Sequence, residues 1–144
     1  MQPQIQILKL DHNEFGSQGM IRLADGLAIN PVIKILSVTY CGIDAEAAQA
    51  IFEILIFTKS VLEEFNLTGN LLRNEGVKRV LQGVSIAKSL KKIYLADNQF
   101  SCDDDEVMKT IDVCMCKNTS LGRYDFRYNH VTVEGKLLRI TNFC

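Results

Sequence analysis

Apolar residues recur along this chain in a fixed pattern around five positions, which we call the ladder positions. The ladder residues are Asn13, Cys41, Asn70, Asn98 and Asn129. They are separated by 28, 29, 28 and 31 residues, and an apolar residue or Tyr stands eight, five and three positions before and two positions after each of them. The positions five and three before alternate with the period of two of a half-buried strand. A short strand is therefore predicted just before each ladder residue.

Between the ladder positions the apolar period becomes helical. In the third repeat Val77, Val80, Leu81 and Val84 fall at i, i+3, i+4 and i+7, which is the spacing of one helix face. The second repeat has apolar residues at the same offsets. Each repeat is thus predicted to run from strand to loop to helix. Three glycines are predicted to mark the turn into the helix: Gly19, Gly76 and Gly135.

The motif L-x-x-L-x-L-x-x-N/C-x-L at a period near 29 resembles that of leucine-rich repeat proteins, particularly the long-repeat, ribonuclease-inhibitor-like class. The resemblance covers residues 5–143. It implies an α/β fold, a right-handed solenoid or horseshoe segment with a parallel β-sheet on the concave face and helices on the convex face. One unit cannot bury its apolar face alone, so the repeats must stack. We expect a single domain over residues 1–144, with repeats at approximately 5–32, 33–61, 62–89, 90–120 and 121–144.

The ladder residues are predicted to be structural. An Asn side chain carries both a donor and an acceptor, and it can satisfy backbone groups of the loop that leaves each strand. Unpaired buried groups would cost roughly 1–3 kcal/mol each. Cys41 is expected to fill the same position as a small, buried thiol.

The concave face is the predicted binding surface, because in the family that this chain resembles it commonly binds protein. Tyr and Arg are enriched among the residues that dominate binding energy, and we expect them to make the main contacts there, with two carboxylates setting the register. The candidate residues are Tyr40, Glu64, Tyr94, Arg123, Asp125, Arg127 and Tyr128. An inert, solvated sheet face is the alternative interpretation.

A second candidate surface lies on the convex side. Ile54 and Ile56 occupy the positions that hold Gly83 and Ser85 in the next repeat, which predicts extra exposed apolar area for contact with another subunit. Crowding between repeats is the alternative. At the first repeat, only four residues precede Ile5, so we expect an uncovered apolar face and strand edge there. That edge would dock on another chain or on further repeats of a longer solenoid.

The last two repeats depart from the pattern. The extra length of the fourth repeat is expected near residues 101–105, and the acidic run at 103–106 is expected to complement a helix N-terminus. A calcium loop would need spaced ligands and a glycine that this run lacks. A final short helix over residues 134–141 is expected to close the fifth repeat.

The cysteines favour reduced thiols over a disulfide framework. There are five of them, an odd number, in a chain with no sign of secretion. Cys114-Met115-Cys116 lacks C-x-x-C spacing and a nearby His, so no metal site is expected. No cofactor is expected either.

Composition narrows the class of protein without naming a partner. A content of 47% hydrophobic and 23% charged residues is ordinary for a globular domain. The net charge of -1 supplies no general attraction to nucleic acid or to an anionic membrane, and we expect neither as a partner. No apolar run approaches the roughly 20 residues of a membrane span, and no signal peptide is recognisable. We therefore expect a cytoplasmic protein.

No catalytic motif is present, so an enzyme is not expected. His12 and His130 lie in different repeats, and there is no nucleophile elbow or phosphate-binding glycine loop. The predicted function is a protein-interaction scaffold within a larger cytoskeletal or ciliary assembly. The last repeat, residues 118–139, resembles the terminal repeat of tropomodulin-type proteins. The alternatives are a regulator of a small GTPase, acting like a GTPase-activating protein, and an inhibitor or sensor that uses the concave face.

Overall fold

The fold consists of strands and helices that alternate along the chain. The computed structural model describes residues 4–130. The strands are β1 (Ile7–Lys9), β2 (Ile35–Ser37), β3 (Glu64–Asn66), β4 (Lys92–Tyr94) and β5 (Arg123–Asp125). The helices are α1 (Gly16–Ile29), α2 (Ala48–Ile56), α3 (Arg73–Ile86) and α4 (Asp105–Lys117), and a 3₁₀ turn at Ala45–Ala47 leads into α2.

The strands form one parallel sheet in sequence order, β1-β2-β3-β4-β5. Their register keeps the repeats aligned, since the central residues Leu36, Phe65 and Ile93 are direct partners. All three of these side chains are fully buried. Parallel neighbours need a crossover, and each helix supplies it. The predicted α/β solenoid is therefore confirmed.

The core lies between the sheet and the helices and continues from repeat to repeat. Each strand contributes inward residues that meet the apolar stripe of the helices. The largest fully buried side chains include Met20, Leu36, Ile43, Ile51, Phe65, Leu72, Leu81, Ile93 and Phe100. Since strands of three residues bury little area by themselves, the stacking of repeats stabilises the fold.

The extra length of the fourth repeat lies before its helix. α1 and α3 begin three residues after their ladder residues, and the 3₁₀ turn that leads into α2 begins four residues after Cys41, whereas α4 begins seven residues after Asn98 with no such turn before it. Asp104 caps α4, because its carboxylate accepts hydrogen bonds from the backbone amides of Glu106 at 2.9 Å and Val107 at 3.3 Å. The prediction that the acidic run complements this helix N-terminus is confirmed.

Two of the glycines predicted to mark turns lie inside helices instead. Gly19 is in the first turns of α1, and Gly76 is in the first turn of α3. A Cβ atom on Gly76 would lie 3.2 Å from the Cα atom of Ala45, so this glycine permits close packing of neighbouring repeats. The prediction was wrong because the helices begin earlier than the glycines suggested. Gly135 lies outside the described residues, as does the helix expected at residues 134–141.

One cysteine differs from the expectation of reduced thiols. Cys116 is disulfide-bonded. Its position near the exposed end of α4 makes the sulfur accessible, whereas Cys41, Cys102 and Cys114 are buried. The expectation was therefore wrong at Cys116.

Candidate functional site

The ladder residues hold the loops that carry the candidate binding surface. Asn70, which is almost completely buried, accepts hydrogen bonds through Oδ1 from the backbone amides of Cys41 and Ile43, both at 3.1 Å. Its Nδ2 donates to the carbonyl oxygens of Val38 at 2.9 Å and Leu67 at 2.8 Å. One side chain thus joins its own turn to the turn of the preceding repeat.

The same arrangement recurs in the following repeats. Nδ2 of Asn98 donates to the carbonyl oxygen of Leu67 at 2.9 Å, and Oδ1 of Asn129 accepts from the backbone amide of Asn98 at 2.7 Å. Cys41 replaces the amide with a thiol that donates to the carbonyl oxygen of Leu10 at 3.2 Å. Within residues 4–130, the side chain of Asn13 bonds only to carbonyl oxygens of its own turn. These hydrogen bonds fix the position of each loop relative to the loop of the neighbouring repeat.

Directly before each ladder residue the backbone adopts a left-handed conformation. These five pre-ladder residues form a row along the edge where the strands end, which we call the rim. They are His12 (φ 59°), Tyr40 (53°), Gly69 (74°), Asp97 (50°) and Tyr128 (59°). Gly, Asp and His are common in this conformation, but a bulky residue such as Tyr is unusual there. Two tyrosines are therefore held in a conformation that their type disfavours.

Tyr40 is packed flat on the rim. Its ring stacks on that of His12, with a centroid separation of 5.1 Å and an interplanar angle of 7°. On the other side it lies over Gly69, where a Cβ atom would overlap the ring. The residue remains 46% exposed, so it presents a rigid aromatic surface to solvent.

The other end of the rim carries Tyr128, which is 79% exposed. The guanidinium of Arg127 lies 5.8 Å from the centre of its ring, within cation–π range. Arg127 also forms a bidentate pair with Asp125, with Nε–Oδ1 at 2.9 Å and Nη2–Oδ2 at 2.7 Å. Asp125 therefore orients Arg127 beside Tyr128.

In the described part of the chain, two ion pairs on the concave face involve residues of the predicted binding surface. The pair with Arg127 lowers the pKa of Asp125, and the carboxylate of Asp125 raises the pKa of Arg127. Glu64 pairs with Lys92 on the adjacent strand at 3.2 Å. Arg123 is exposed and forms no ion pair within residues 4–130. Among these groups, Arg123 is the cation that no carboxylate of the described chain contacts.

The structure brings most of the predicted site residues together and separates two. Tyr94 is the direct partner of Asp125 in the register of β4 and β5. We define the β4–β5 surface as Tyr94, Arg123, Asp125, Arg127 and Tyr128. Glu64 lies one strand away from it, on β3. Tyr40 follows β2, about 14 Å from Tyr128 at about 4.8 Å per strand.

The sequence reasoning missed the role of His12 and Asp11 in this surface. His12 supports the ring of Tyr40, and Asp11 accepts hydrogen bonds from Ser37 Oγ at 2.6 Å and from the backbone amide of Thr39 at 2.8 Å. These bonds lower the pKa of Asp11, although its burial opposes the shift. The residue types at the pre-ladder positions, with His, Gly and Asp among five, could have indicated the left-handed turn.

The prediction of an exposed apolar contact on the convex side is wrong for Ile54. Ile54 is only 9% exposed and belongs to the core, because its side chain points into the space between α1 and α2. Ile56 is 37% exposed. One residue therefore packs between repeats, and only the other is available on the convex surface.

The edge at the first repeat is uncovered within the described residues. β1 is the outermost strand of the sheet, and the side chains of Ile5, Ile7 and Ile29 are all mostly exposed. Leu23 and Leu27 are only partly buried against the core. An apolar face of the expected kind is present, and its docking on another chain stays a prediction.

The described residues offer little reactive chemistry. Burial raises the pKa of the Cys114 thiol to about 12, so this sulfur is not a nucleophile near neutral pH. Residues 4–130 contain no cluster of three or more His, Cys, Asp or Glu placed to hold a metal ion. None of the helices described is long and apolar enough to cross a membrane.

Comparisons with known proteins agree with this architecture. A family model described as "Leucine Rich repeat" matches residues 30–52. A search of curated proteins found no match. Actin-binding site 2 of leiomodin-1 superposes with a TM-score of 0.78 and 17% identity, over 97% of this chain and 79% of that one. The tropomodulin C-terminal domain of Caenorhabditis elegans superposes with a TM-score of 0.75 and 17% identity, over 94% and 80%. At such identity the likeness is one of fold, and it agrees with the leucine-rich repeat that the family model finds in residues 30–52.

Proposed function

We propose that this chain is a non-catalytic protein-interaction scaffold of an intracellular, cytoskeletal assembly, which binds its partner at the rim and the β4–β5 surface. The observation that carries the proposal is the exposure of two tyrosines, Tyr40 and Tyr128, in left-handed backbone. A bulky residue in that conformation costs about 1–2 kcal/mol relative to glycine. The ring of Tyr128 is 79% exposed, so packing within the described residues does not account for the cost at that position.

The composition of the β4–β5 surface supports the same function. Tyr and Arg dominate binding energy at protein interfaces, where large rings bury area and guanidinium groups form several hydrogen bonds. Arg127 is already oriented by Asp125, so it loses little conformational entropy on binding. Arg123 is exposed without an ion pair in the described residues, and it is available for a carboxylate of a partner.

Actin is the first partner to test. The fold resembles a domain of leiomodin-1 that is named as an actin-binding site, over 97% of this chain. The concave surface is small, since five strands span about 20–25 Å, so an interface at the lower end of the standard size is expected. A contact of that size relies on few residues, and single substitutions should weaken it measurably.

The test is the affinity of the purified chain for monomeric and filamentous actin. We expect wild type to bind one of the two forms and the double variant Arg123→Ala/Tyr128→Ala to bind about thirtyfold more weakly or worse, which is the loss of about 2 kcal/mol that defines a hot spot. Tyr128→Phe keeps the ring and should bind like wild type. Arg22→Ala, on an exposed position of α1, is the matched control for charge and should also bind normally.

Two outcomes would count against the proposal separately. Failure of wild type to bind either form of actin would remove the actin part. The surface would then be tested by cross-linking capture from the source cells, with wild type beside a variant carrying Ala at Tyr40, Tyr94 and Tyr128. Equal cross-linking of the same partners to both forms would show that recognition does not use the rim.

A further inference from the structure

A cleft opens between α1 and α2 on the convex side of the solenoid. Its volume is about 430 Å³, within the range of ligand-binding cavities. The floor and walls are mainly apolar. The side chains that form them include Ile21, Ala24, Leu27, Ala50, Ile54 and Phe57.

Successive helices differ in size at one position that faces the preceding helix. In α3, Gly83 faces α2, and a Cβ atom there would lie 3.2 Å from the Cα atom of Phe52. The absence of a side chain lets α2 and α3 pack closely, and Arg79 closes their outer surface by lying 3.5 Å over the ring of Phe52. The equivalent residue of α2 is Ile54, a bulky side chain that lines the cleft. The space between α2 and α3 is therefore closed, whereas the space between α1 and α2 is open.

The border of this cleft is acidic. Asp25, Glu46 and Glu53 line it, and no Lys, Arg or His is among the described residues that do so. Glu46 and Glu53 accept hydrogen bonds from the amides of Gln18 and Gln49, which do not neutralise their charge. None of the three carboxylates forms an ion pair within residues 4–130. An apolar floor is thus bordered by three carboxylates, and the nearby Arg79 donates to Gln49 of the same border at 2.8 Å.

We propose that this cleft binds the apolar face of an amphipathic helix from a partner protein, with Lys or Arg residues flanking that face. Two neighbouring helices with a gap between them form a groove that accepts large apolar side chains at i, i+3 or i+4 and i+7. The flanking cations complement Asp25, Glu46 and Glu53, which favours basic over acidic partners. The site is separate from the rim, and it does not depend on the function proposed above.

A second copy of the chain is a poorer occupant. A symmetric dimer would place the same surface of each copy against the other. Two copies of Asp25, Glu46 and Glu53 would then face each other across an apolar contact, where repulsion between like charges is costly. The charge pattern therefore favours a partner of opposite sign.

The test uses a display library of amphipathic helical peptides, randomised at the apolar positions and built in three classes with basic, neutral or acidic flanks. The full chain is the bait. Ala28→Trp fills the cleft from an exposed position of α1, and Asp25→Lys/Glu53→Lys reverses two exposed charges at its border. Glu14→Lys reverses one charge, half the change in the double variant, on an exposed residue outside the cleft, and it is the control for charge reversal away from the site. Circular dichroism confirms that every variant is folded.

We expect the enriched peptides to come from the basic class. Their affinity should fall about tenfold or more for the charge-reversal and cleft-filling variants and stay within about twofold for Glu14→Lys, and it should weaken with added salt. Absence of any enriched peptide, enrichment of acidic or neutral flanks, or equal binding to Ala28→Trp would overturn the proposal. A concentration-dependent dimer of wild type that Ala28→Trp abolishes would overturn it too, and would assign the cleft to a second copy instead.

Discussion

The ring of Tyr40 lies across the backbone of Gly69, so close that a Cβ atom at position 69 would overlap it. The two residues occupy the same position in successive repeats, directly before Cys41 and Asn70. The small residue in one repeat makes room for the large residue of the repeat before it. His12 supports the opposite face of the ring. The exposed surface of Tyr40 therefore depends on the residue type at the equivalent position of the next repeat.

Gly69→Ala should displace the ring of Tyr40. We expect a loss of more than about 2 kcal/mol in the free energy of unfolding, because the overlap adds to the cost of about 1–2 kcal/mol for a left-handed L-residue. Gly42→Ala is the control. Gly42 has a φ of +71°, and no atom lies within 4 Å of the point that a Cβ atom would occupy there, so this variant reports the backbone cost alone. Denaturant unfolding of both variants measures the difference, and equal losses would show that the ring adapts freely.

Asn70→Ala should be among the most destabilising substitutions on the ladder. It removes two hydrogen bonds to Oδ1 and three from Nδ2, and it leaves buried backbone groups that cost about 1–3 kcal/mol each when unpaired. A loss of about 3 kcal/mol or more is expected. Asn13→Ala, which breaks bonds only within an exposed turn, should lose about 1 kcal/mol or less. Denaturant unfolding measures both, and similar losses at the two positions would contradict a bridging role for Asn70.

Ile54 and Ile56 should respond differently to truncation. Ile54→Ala deletes a nearly buried side chain and is expected to lower the free energy of unfolding by about 2–4 kcal/mol. Ile56→Ala should cost less than about 1 kcal/mol, since this side chain is more than a third exposed. Thermal and denaturant unfolding compare the two. A large loss at Ile56 would mean that this side chain is covered in solution, as in an oligomer.

Acid should destabilise the fold through capping carboxylates. Ser17 Oγ donates to Asp44 and lowers its pKa, and backbone amides after Asp104 lower the pKa of that carboxyl. A carboxyl with a lowered folded-state pKa stabilises the fold above its unfolded value of about 3.9, and this contribution is lost as the pH falls through the folded pKa. The melting temperature should therefore fall as the pH drops below about 4.

The variant Asp44→Asn/Asp104→Asn tests whether these two carboxylates cause the loss of stability in acid. At neutral pH it should melt below wild type, because neutral amides replace charge-assisted hydrogen-bond acceptors. Under acid conditions, where both aspartates of wild type are protonated, the two melting curves should converge. A constant difference in melting temperature across the whole pH range would assign the acid sensitivity to other groups.

The repeat pattern predicted the fold correctly because the period of the apolar residues distinguishes a strand from a helix. Phe65 and Leu67, two residues apart, had to share a strand face, and the spacing from Val77 to Val84 had to be helical. The extra residues before α4 and the acidic cap of that helix were readable for the same reason, since charge and chain length are local properties. The turns predicted at Gly19 and Gly76 failed because glycine also permits close packing, which depends on a neighbouring side chain or repeat.

The repeat, the alternation of strand and helix, and the residue types on the concave face all follow from the periodic placement of apolar side chains along the chain. Which of those residues meet depends on how the repeats pack in three dimensions. Packing places Tyr94 beside Asp125, Tyr40 beside His12 at the other end of the rim, and Ile54 in the lining of the cleft. Such relationships depend on the separation of side chains from different repeats, and no local pattern along the chain encodes that distance.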